Sequence, residues 1–353
     1  MFWKNKPLPK DTDRVSEPIE DLKLRDVYKS EIKIPEHLLW KEQTDVHEIT
    51  KFLDHFYKPT TESYIKYILS FKDSMVLSIM SKKKNIIYGL IGGYGTRMHI
   101  NDKIENFVNV SFICVHSDFR KKNMSSVMIE ELTRRYIEKG YNYGCFMTNK
   151  DTIYPVCKIH YYDRIINYEK MKSFIKFDDN VKEKHFAVYS NPSKDYQLAR
   201  LSDYEEMFSL YNKYIDRFNI SIALEFEEFK KYFTTNDFIR TYVIYKEKMI
   251  DFLCIRLYEA PYKVAELMFY TGLTEPTGNL INETIKIGNS LGVDVIRVPN
   301  EMNTGFALLL PDEEEKANTI EYYFMKTNKI NYFCLYNWKL PQIAPKQLAF
   351  IIT

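Results

Sequence analysis

Three consecutive cations, Arg120, Lys121 and Lys122, stand just ahead of a helical pattern in which Met124, Val127, Met128, Leu132 and Tyr136 mark one face. The open N–H groups of a helix N-terminus bind phosphate, and the helix macrodipole adds to this. Ser125 and Ser126 can offer hydroxyls. Such a turn suits a diphosphate, although a solvated basic loop has the same composition. A second chemistry lies at the other end of the sequence. LAFIIT (348–353) is apolar up to its last residue, which predicts a terminal carboxylate near the core and partly desolvated. That group could accept a proton; a strand that merely stops would read the same way. The five cysteines, Cys114, Cys145, Cys157, Cys254 and Cys334, form no Cys-x-x-Cys pair. Zinc is therefore not expected, and buried thiols in a reducing compartment are. Asp312–Glu315 reads as a solvated loop or helix start rather than a metal site, and Lys82–Lys84 as a hairpin turn.

The elements that must position these groups follow from length and pattern. A chain of 353 residues suits two domains better than one, and 45% hydrophobic with 15% aromatic residues can fill their cores. A formal charge of +2 supplies no field for nucleic acid. The start, MFWKNKPLPKDTDR, is charged where a signal peptide is apolar, and no run approaches a membrane span. A cytoplasmic protein is expected. Residues 1–40, with Pro7, Pro9, Pro18 and Pro35, read as an extended arm. Helical spacing follows at 44–56 and near 62–71. Strand patterns cover 74–81, 85–94 and 106–116, then the helix from 124 that Gly140 can end, then a strand at 141–148. A similar order recurs: helices at 202–219 and 226–233, strands at 239–246, 249–259 and 263–273, a helix at 280–292, and a strand at 293–298. One α/β module used twice is the simplest reading, divided near 190–198 where SNPSKD is turn-rich.

The basic loop is similar to the Arg/Gln-x-x-Gly-x-Gly/Ala turn with which acetyltransferase-like GNAT folds hold the coenzyme A pyrophosphate. Arg120, Asn123 and Ser125 stand at the matching positions. The whole stretch VSFICVHSDFRKKNMSSVMIEELTRRY (110–136) resembles the signature of protein N-myristoyltransferases: Ile-Asn-Phe-Leu-Cys-Val-His-Lys, Leu-Arg-Ser-Lys-Arg, and a helix ending Glu-Ile-Thr-Arg-Arg. FWKNKPLPK (2–10), EPIE (17–20), YYDRIIN (161–167), DFLCIRL (251–257) and LYNWK (335–339) match further family segments in order. The resemblance implies an α/β (α+β) fold of two fused GNAT-like modules with a pseudo-twofold relation. It implies an arm at 1–40, an acyl-CoA module at 41–192 and a peptide module at 193–353. The family transfers myristate from myristoyl-CoA to an N-terminal glycine, with no prosthetic group. By resemblance the backbone amides of Phe112 and Ile113 hold the oxyanion, and the terminal carboxylate of Thr353 is the general base. Phe112 and Ile113 would pack as core in either case. The coenzyme A contacts would be Phe2, Trp3, Cys114, Val115, Arg120, Lys121, Asn123, Met124 and Ser125. The peptide side would include Ser111, Thr148, Tyr161, Asp163 and Asn328.

Departures from the family gather on the peptide side. Ser111 replaces an Asn, and Asp163 a peptide-facing His. Met268 replaces a Ser, and YFMKTNK (323–329) replaces Lys-Phe-Gly-x-Gly-Asp-Gly, which puts Asn328 at the aspartate. Asn328 cannot attract basic groups, whereas Asp163 could supply a charge elsewhere. The expectation is a monomeric myristoyltransferase with an altered peptide repertoire. A binding protein of the same fold, or an enzyme with another acyl or amine preference, is the alternative.

Overall fold

The computed structural model describes residues 6–57, 60–150, 153–177, 183–188, 190–259, 261–302, 304 and 324–350, the side chain of residue 185 excepted. Phe2, Trp3, Asp312–Glu315 and Thr353 lie outside the described residues. The chain falls into two units. One takes residues up to 157 together with 332–343; the other takes 158–331 and the segment from 344.

In the first unit a short pair, β1 (Glu17–Pro18) and β15 (Trp338–Lys339), stands apart from the main sheet. That sheet begins with β2 (Leu38–Glu42), β3 (Met75–Ser81), β4 (Ile87–Ile100) and β5 (Lys103–Val115), each antiparallel to the last. Lys82–Lys84 fall in the β3–β4 turn, as expected, and Asn85 closes it at φ 51°. β6 (Tyr143–Thr148) is parallel to β5, and the last residues of β14 (Met325–Tyr336) pair antiparallel with β6. Helices α1 (Val46–Phe56) and α2 (Glu62–Leu69) start where Asp45 and Thr61 accept the N–H groups of Glu48 and Tyr64. A parallel pair needs a crossover, and α3 (Met124–Glu138) provides it. Its Met124, Met128, Leu132 and Tyr136 bury against Leu77, Ile79, Ile91 and Val108. Gly140, at φ 91°, then lets the chain turn so that the Tyr141 N–H reaches the Tyr136 carbonyl at 2.9 Å.

The arm is more firmly held than its composition suggests. Leu8 packs on Leu22, Tyr28, Ile137 and Tyr336. Asn337, fully buried at φ 61°, gathers the rest. Its backbone N–H donates to Pro7, its side-chain oxygen accepts from the Glu20 N–H, and its amide donates to the carbonyls of Glu20 and Asn142 at 2.9 and 3.0 Å. An Asn tolerates the left-handed backbone, and here it also satisfies three separate segments.

The second unit includes residues 158–192, expected with the first half. The reason is β7 (Cys157–Ile165), which pairs antiparallel with β13 (Val295–Pro299). A short helix, α4 (Tyr168–Met171), follows β7. The remaining strands are β8 (Tyr196–Leu198), β10 (Ile239–Tyr245), β11 (Met249–Glu259) and β12 (Lys263–Tyr270), antiparallel in the order β8, β10, β11, β12. β13 is parallel to β12, joined by α7 (Thr277–Ser290). Gly288 of that helix touches the sheet so closely that a Cβ would meet the Ile296 side chain at 2.0 Å. Helices α5 (Tyr204–Ile215) and α6 (Phe226–Phe233) bring Tyr211, Phe229 and Phe233 onto Phe252 and Phe269. β16 (Leu348–Ala349) lies parallel to β9 (Ile220–Ile222). Each unit thus contains a hairpin, a strand, a helix and a parallel strand in that order, as the sequence pattern predicts.

The five cysteines are free and buried. Among the described residues no cluster of His, Cys, Asp or Glu could hold a metal. Among them, too, no helix is long and apolar enough to cross a membrane.

Candidate active site

The parting of β5 from β6 creates the first functional feature. Their parallel pairing runs from Phe107↔Tyr143 to Val110↔Phe146 and stops. On the other edge the register with β4 slips between Gly92 and Gly93, so that Ser111 is a bulged residue between Val110 and Phe112. A bulge re-aims the strand that carries it. Beyond it, Phe112, Ile113, Cys114 and Val115 have no partner on β6 among the described residues. Their other edge still pairs with β4, so the strand amides that face the parted side are the donors waiting for an acceptor. Phe112 itself is buried, and its ring lies where a Cβ on Gly92 would be, 2.4 Å away. Phe112 therefore packs as core while its backbone lies past the parting. The Ser111 hydroxyl is buried without a partner. Burial pushes the Cys114 thiol up to about 11, so that residue is a neutral wall and not a nucleophile.

Directly after β5, the loop tightens through a 3-10 turn at Ser117–Phe119 and reaches α3 by two left-handed residues, Lys121 at φ 65° and Asn123 at φ 60°. Asn suits that conformation and Lys does not. The Asn123 side chain takes the Ser126 hydroxyl at 2.6 Å and caps no backbone N–H of the helix. The first amides of α3 are thus not capped by it. Arg120 turns away from them. Its guanidinium donates to the carbonyls of Val115 at 3.2 Å and Phe56 at 2.9 Å, which braces the loop. Lys121 is left exposed beside the helix start, while Lys122 lies over the Phe119 ring at 4.9 Å. Lys121, Asn123, Met124 and Ser125 together can cradle an anion.

Thr148 ends β6 opposite Tyr332, and its hydroxyl accepts the Lys150 N–H at 3.2 Å. The other peptide-side residues belong to the second unit. Tyr161 is fully buried, its hydroxyl bonded to the Asn331 amide at 2.9 Å. Asn328 is exposed on β14. Asp163 is buried and held by a two-pronged contact from Arg297, both bonds 2.7 Å. Its charge is therefore spent inside the protein. The contact continues as a network: Arg297 donates to the Tyr258 hydroxyl at 2.9 Å, and Tyr258 donates to Glu266 at 3.0 Å. Arg256 pairs with the other Glu266 oxygen at 2.9 Å. Burial opposes ionisation of Glu266, but Arg256, Lys329 and Arg297 overcome it and hold the carboxyl at about 2. Sequence pattern alone did not single out Arg256, Tyr258, Glu266, Arg297 or Lys329. The signal was available: isolated charges inside apolar strands such as DFLCIRLYE, KVAELMFY and VDVIRV must find partners when buried.

The run before the chain end behaves as expected as far as it is described. Leu348, Ala349 and Phe350 are all buried. The Leu348 carbonyl accepts the Met302 N–H at 3.0 Å. The Phe350 N–H donates to the Glu301 carboxyl, which burial pushes well above the ordinary range.

The family described as myristoyl-CoA:protein N-myristoyltransferase, N-terminal domain, matches residues 18–158. The glycylpeptide N-tetradecanoyltransferase of Plasmodium falciparum is 25% identical over 396 residues, covering 99% of this chain and 93% of that protein. The Drosophila melanogaster enzyme of the same name is 22% identical, covering 99% and 80%. Among solved structures, Saccharomyces cerevisiae N-myristoyltransferase with bound myristoyl-CoA superposes with a TM-score of 0.83 at 17% identity, over 98% of this chain and 89% of that one. A GCN5-related N-acetyltransferase from Anabaena variabilis gives 0.54 at 10% identity, over 84% and 72%, which places the fold among the GNAT-like architectures. With a mixed α/β fold of that kind and relatives collinear along nearly all of its length, the chain is similar throughout to the N-myristoyltransferases, whose N-terminal domain matches residues 18–158.

Proposed function

We propose that the protein transfers myristate from myristoyl-CoA to the N-terminal glycine amine of client proteins. The observation that carries this reading is the parting of β5 and β6 after Val110, immediately upstream of an anion-cradling turn. The first unit would take the acyl-CoA and the second the peptide side chains. Lys121 and the first amides of α3, from Asn123 to Ser125, would hold the phosphates. The thioester carbonyl would lie against Phe112 and Ile113, whose amide dipoles need no reorganisation as negative charge develops on its oxygen. The glycine nitrogen attacks that carbon; a C–N bond forms, the C–S bond breaks, and coenzyme A leaves as the thiol. Before attack the glycine ammonium gives one proton to the Thr353 carboxylate, and the second proton lost from nitrogen as the amide forms goes to the leaving sulfur. Myristoyl-CoA is the acyl donor and no prosthetic group is involved. Five buried free thiols suit a cytoplasmic setting, and a formal charge of +2 supplies no field for nucleic acid; we propose a monomer.

Mass spectrometry of Gly-starting peptides incubated with the protein and myristoyl-CoA tests the reading, with a mass gain of one myristoyl group expected. Acyl-CoA binding without any peptide product would instead make this a binding protein of the same fold. Charge reversal of Lys121 and Lys122 should weaken acyl-CoA at least tenfold while leaving the melting temperature in place, because both side chains are exposed. Unchanged affinity by calorimetry would remove this loop from the site.

A further inference from the structure

We infer that the peptide-recognising surface of the second unit selects an acidic side chain, carboxylate or phosphoryl, through the ammonium of Lys329. The inference rests on the reading of this protein as a glycylpeptide acyltransferase and adds the charge of its substrate. Lys329 lies on β14 over the Tyr161 ring, 4.2 Å from its centre. Its residue remains exposed, and its ammonium makes no hydrogen bond or ion pair with any described residue. Behind it stand the groups that could have neutralised it, and they are already committed. Both Asp163 oxygens take Arg297 at 2.7 Å. One Glu266 oxygen takes Arg256 at 2.9 Å, and the other takes the Tyr258 hydroxyl at 3.0 Å. The cluster thus sets three cationic side chains, Arg256, Arg297 and Lys329, against two acidic ones, Asp163 and Glu266. One positive charge is left over, at the member that reaches solvent. Arg297 and Arg256 repel the Lys329 ammonium, against the pull of Glu266 and Asp163. An anion arriving beside the ammonium would relieve that cost, and a peptide lysine would add to it. Asn328, next along the strand, contributes no opposing charge.

The test uses the whole protein and Gly-starting peptides matched except at one position, carrying Asp, phosphoserine, Ala or Lys walked along the sequence. Two readouts are kept apart: acyl transfer from myristoyl-CoA, and equilibrium peptide binding by anisotropy with a non-hydrolysable acyl-CoA analogue present. At one position Asp or phosphoserine should be preferred over Lys by about tenfold, and whichever is stronger identifies the anion. The ratio should fall towards one in Lys329→Met and persist in Lys329→Arg, which keeps the charge. Equal ratios in wild type and Lys329→Met, or a preference for Lys, would overturn the inference. An acid preference in binding with no acyl transfer would keep it and sink the transferase reading. Acyl transfer without charge preference would do the reverse, and absence of any peptide binding would overturn both.

Discussion

Removing Thr353, or extending the chain past it with a tag, should lower turnover by roughly 10²–10⁴ while myristoyl-CoA still binds. An α-carboxylate near ~3.5 and an α-amino group near ~7.8 differ by about four pKa units, or roughly 6 kcal/mol, in the wrong direction for proton transfer. Desolvation disfavours both charged forms and narrows that gap. Deleting one residue withdraws the carboxylate by up to ~3.3–3.6 Å, beyond hydrogen-bond reach of an amine placed for attack. A tag replaces it with an amide, which is no base. Thr353→Ala keeps the carboxylate and should stay substantially active. Single-turnover kinetics on the three variants, with acyl-CoA affinity measured in parallel, separates chemistry from binding. Full turnover in the tagged protein would assign proton removal to another group.

Glu266→Gln should cost about 3–5 kcal/mol of stability, because it puts a neutral amide in the buried position that the part-buried Arg256 pairs with and opens the chain of contacts to Asp163. The pH dependence gives an independent check. The folded carboxyl titrates at about 2, below the ordinary 4.5. Its contribution is therefore present above about pH 4.5 and is lost as pH falls towards 2. The stability difference between wild type and Glu266→Gln should be constant at neutral pH and shrink across that acidic window. Urea denaturation at several pH values measures both. A constant difference down to pH 2 would mean that the charge of Glu266 is not what holds the network.

The backbone was legible in the sequence wherever one period dominated. α1, α3 and α6 lie where their helical spacing puts them, because each turns its main apolar face to the core, and β11 lies where its continuous apolar run puts it, with Asp251–Ile255 all buried. β2 was hidden in a proline-containing arm, and β14 in a polar stretch whose first residues, Met325–Lys329, are only partly covered. The division of the chain was hidden for a related reason. β7 reads as the close of one half, but its pairing is with β13, and a nonlocal partner leaves no mark on local spacing. Most of the residues expected on the acyl-CoA side fall between Phe112 and Ser125, where one motif marks them, with Phe2 and Trp3 apart at the start of the sequence. In the charge network of the second unit Asp163, Arg256, Glu266, Arg297 and Lys329 come from five strands. Their meaning lies in who neutralises whom, which no single segment states.

β14 has a consequence for how the molecule is made. Residues 332–336 pair with β6, more than 180 residues earlier, and Asn337 then reaches Pro7, Glu20 and Asn142. The first unit to leave the ribosome cannot finish its sheet until nearly the whole chain has been synthesised. At ~5–20 residues per second that interval lasts roughly ten to forty seconds. Throughout it β6 presents an open edge, which is a template for wrong pairing. Folding is therefore set by a late, long-range closure rather than by the order of synthesis, and nascent chains stopped before residue 332 should be the aggregating species.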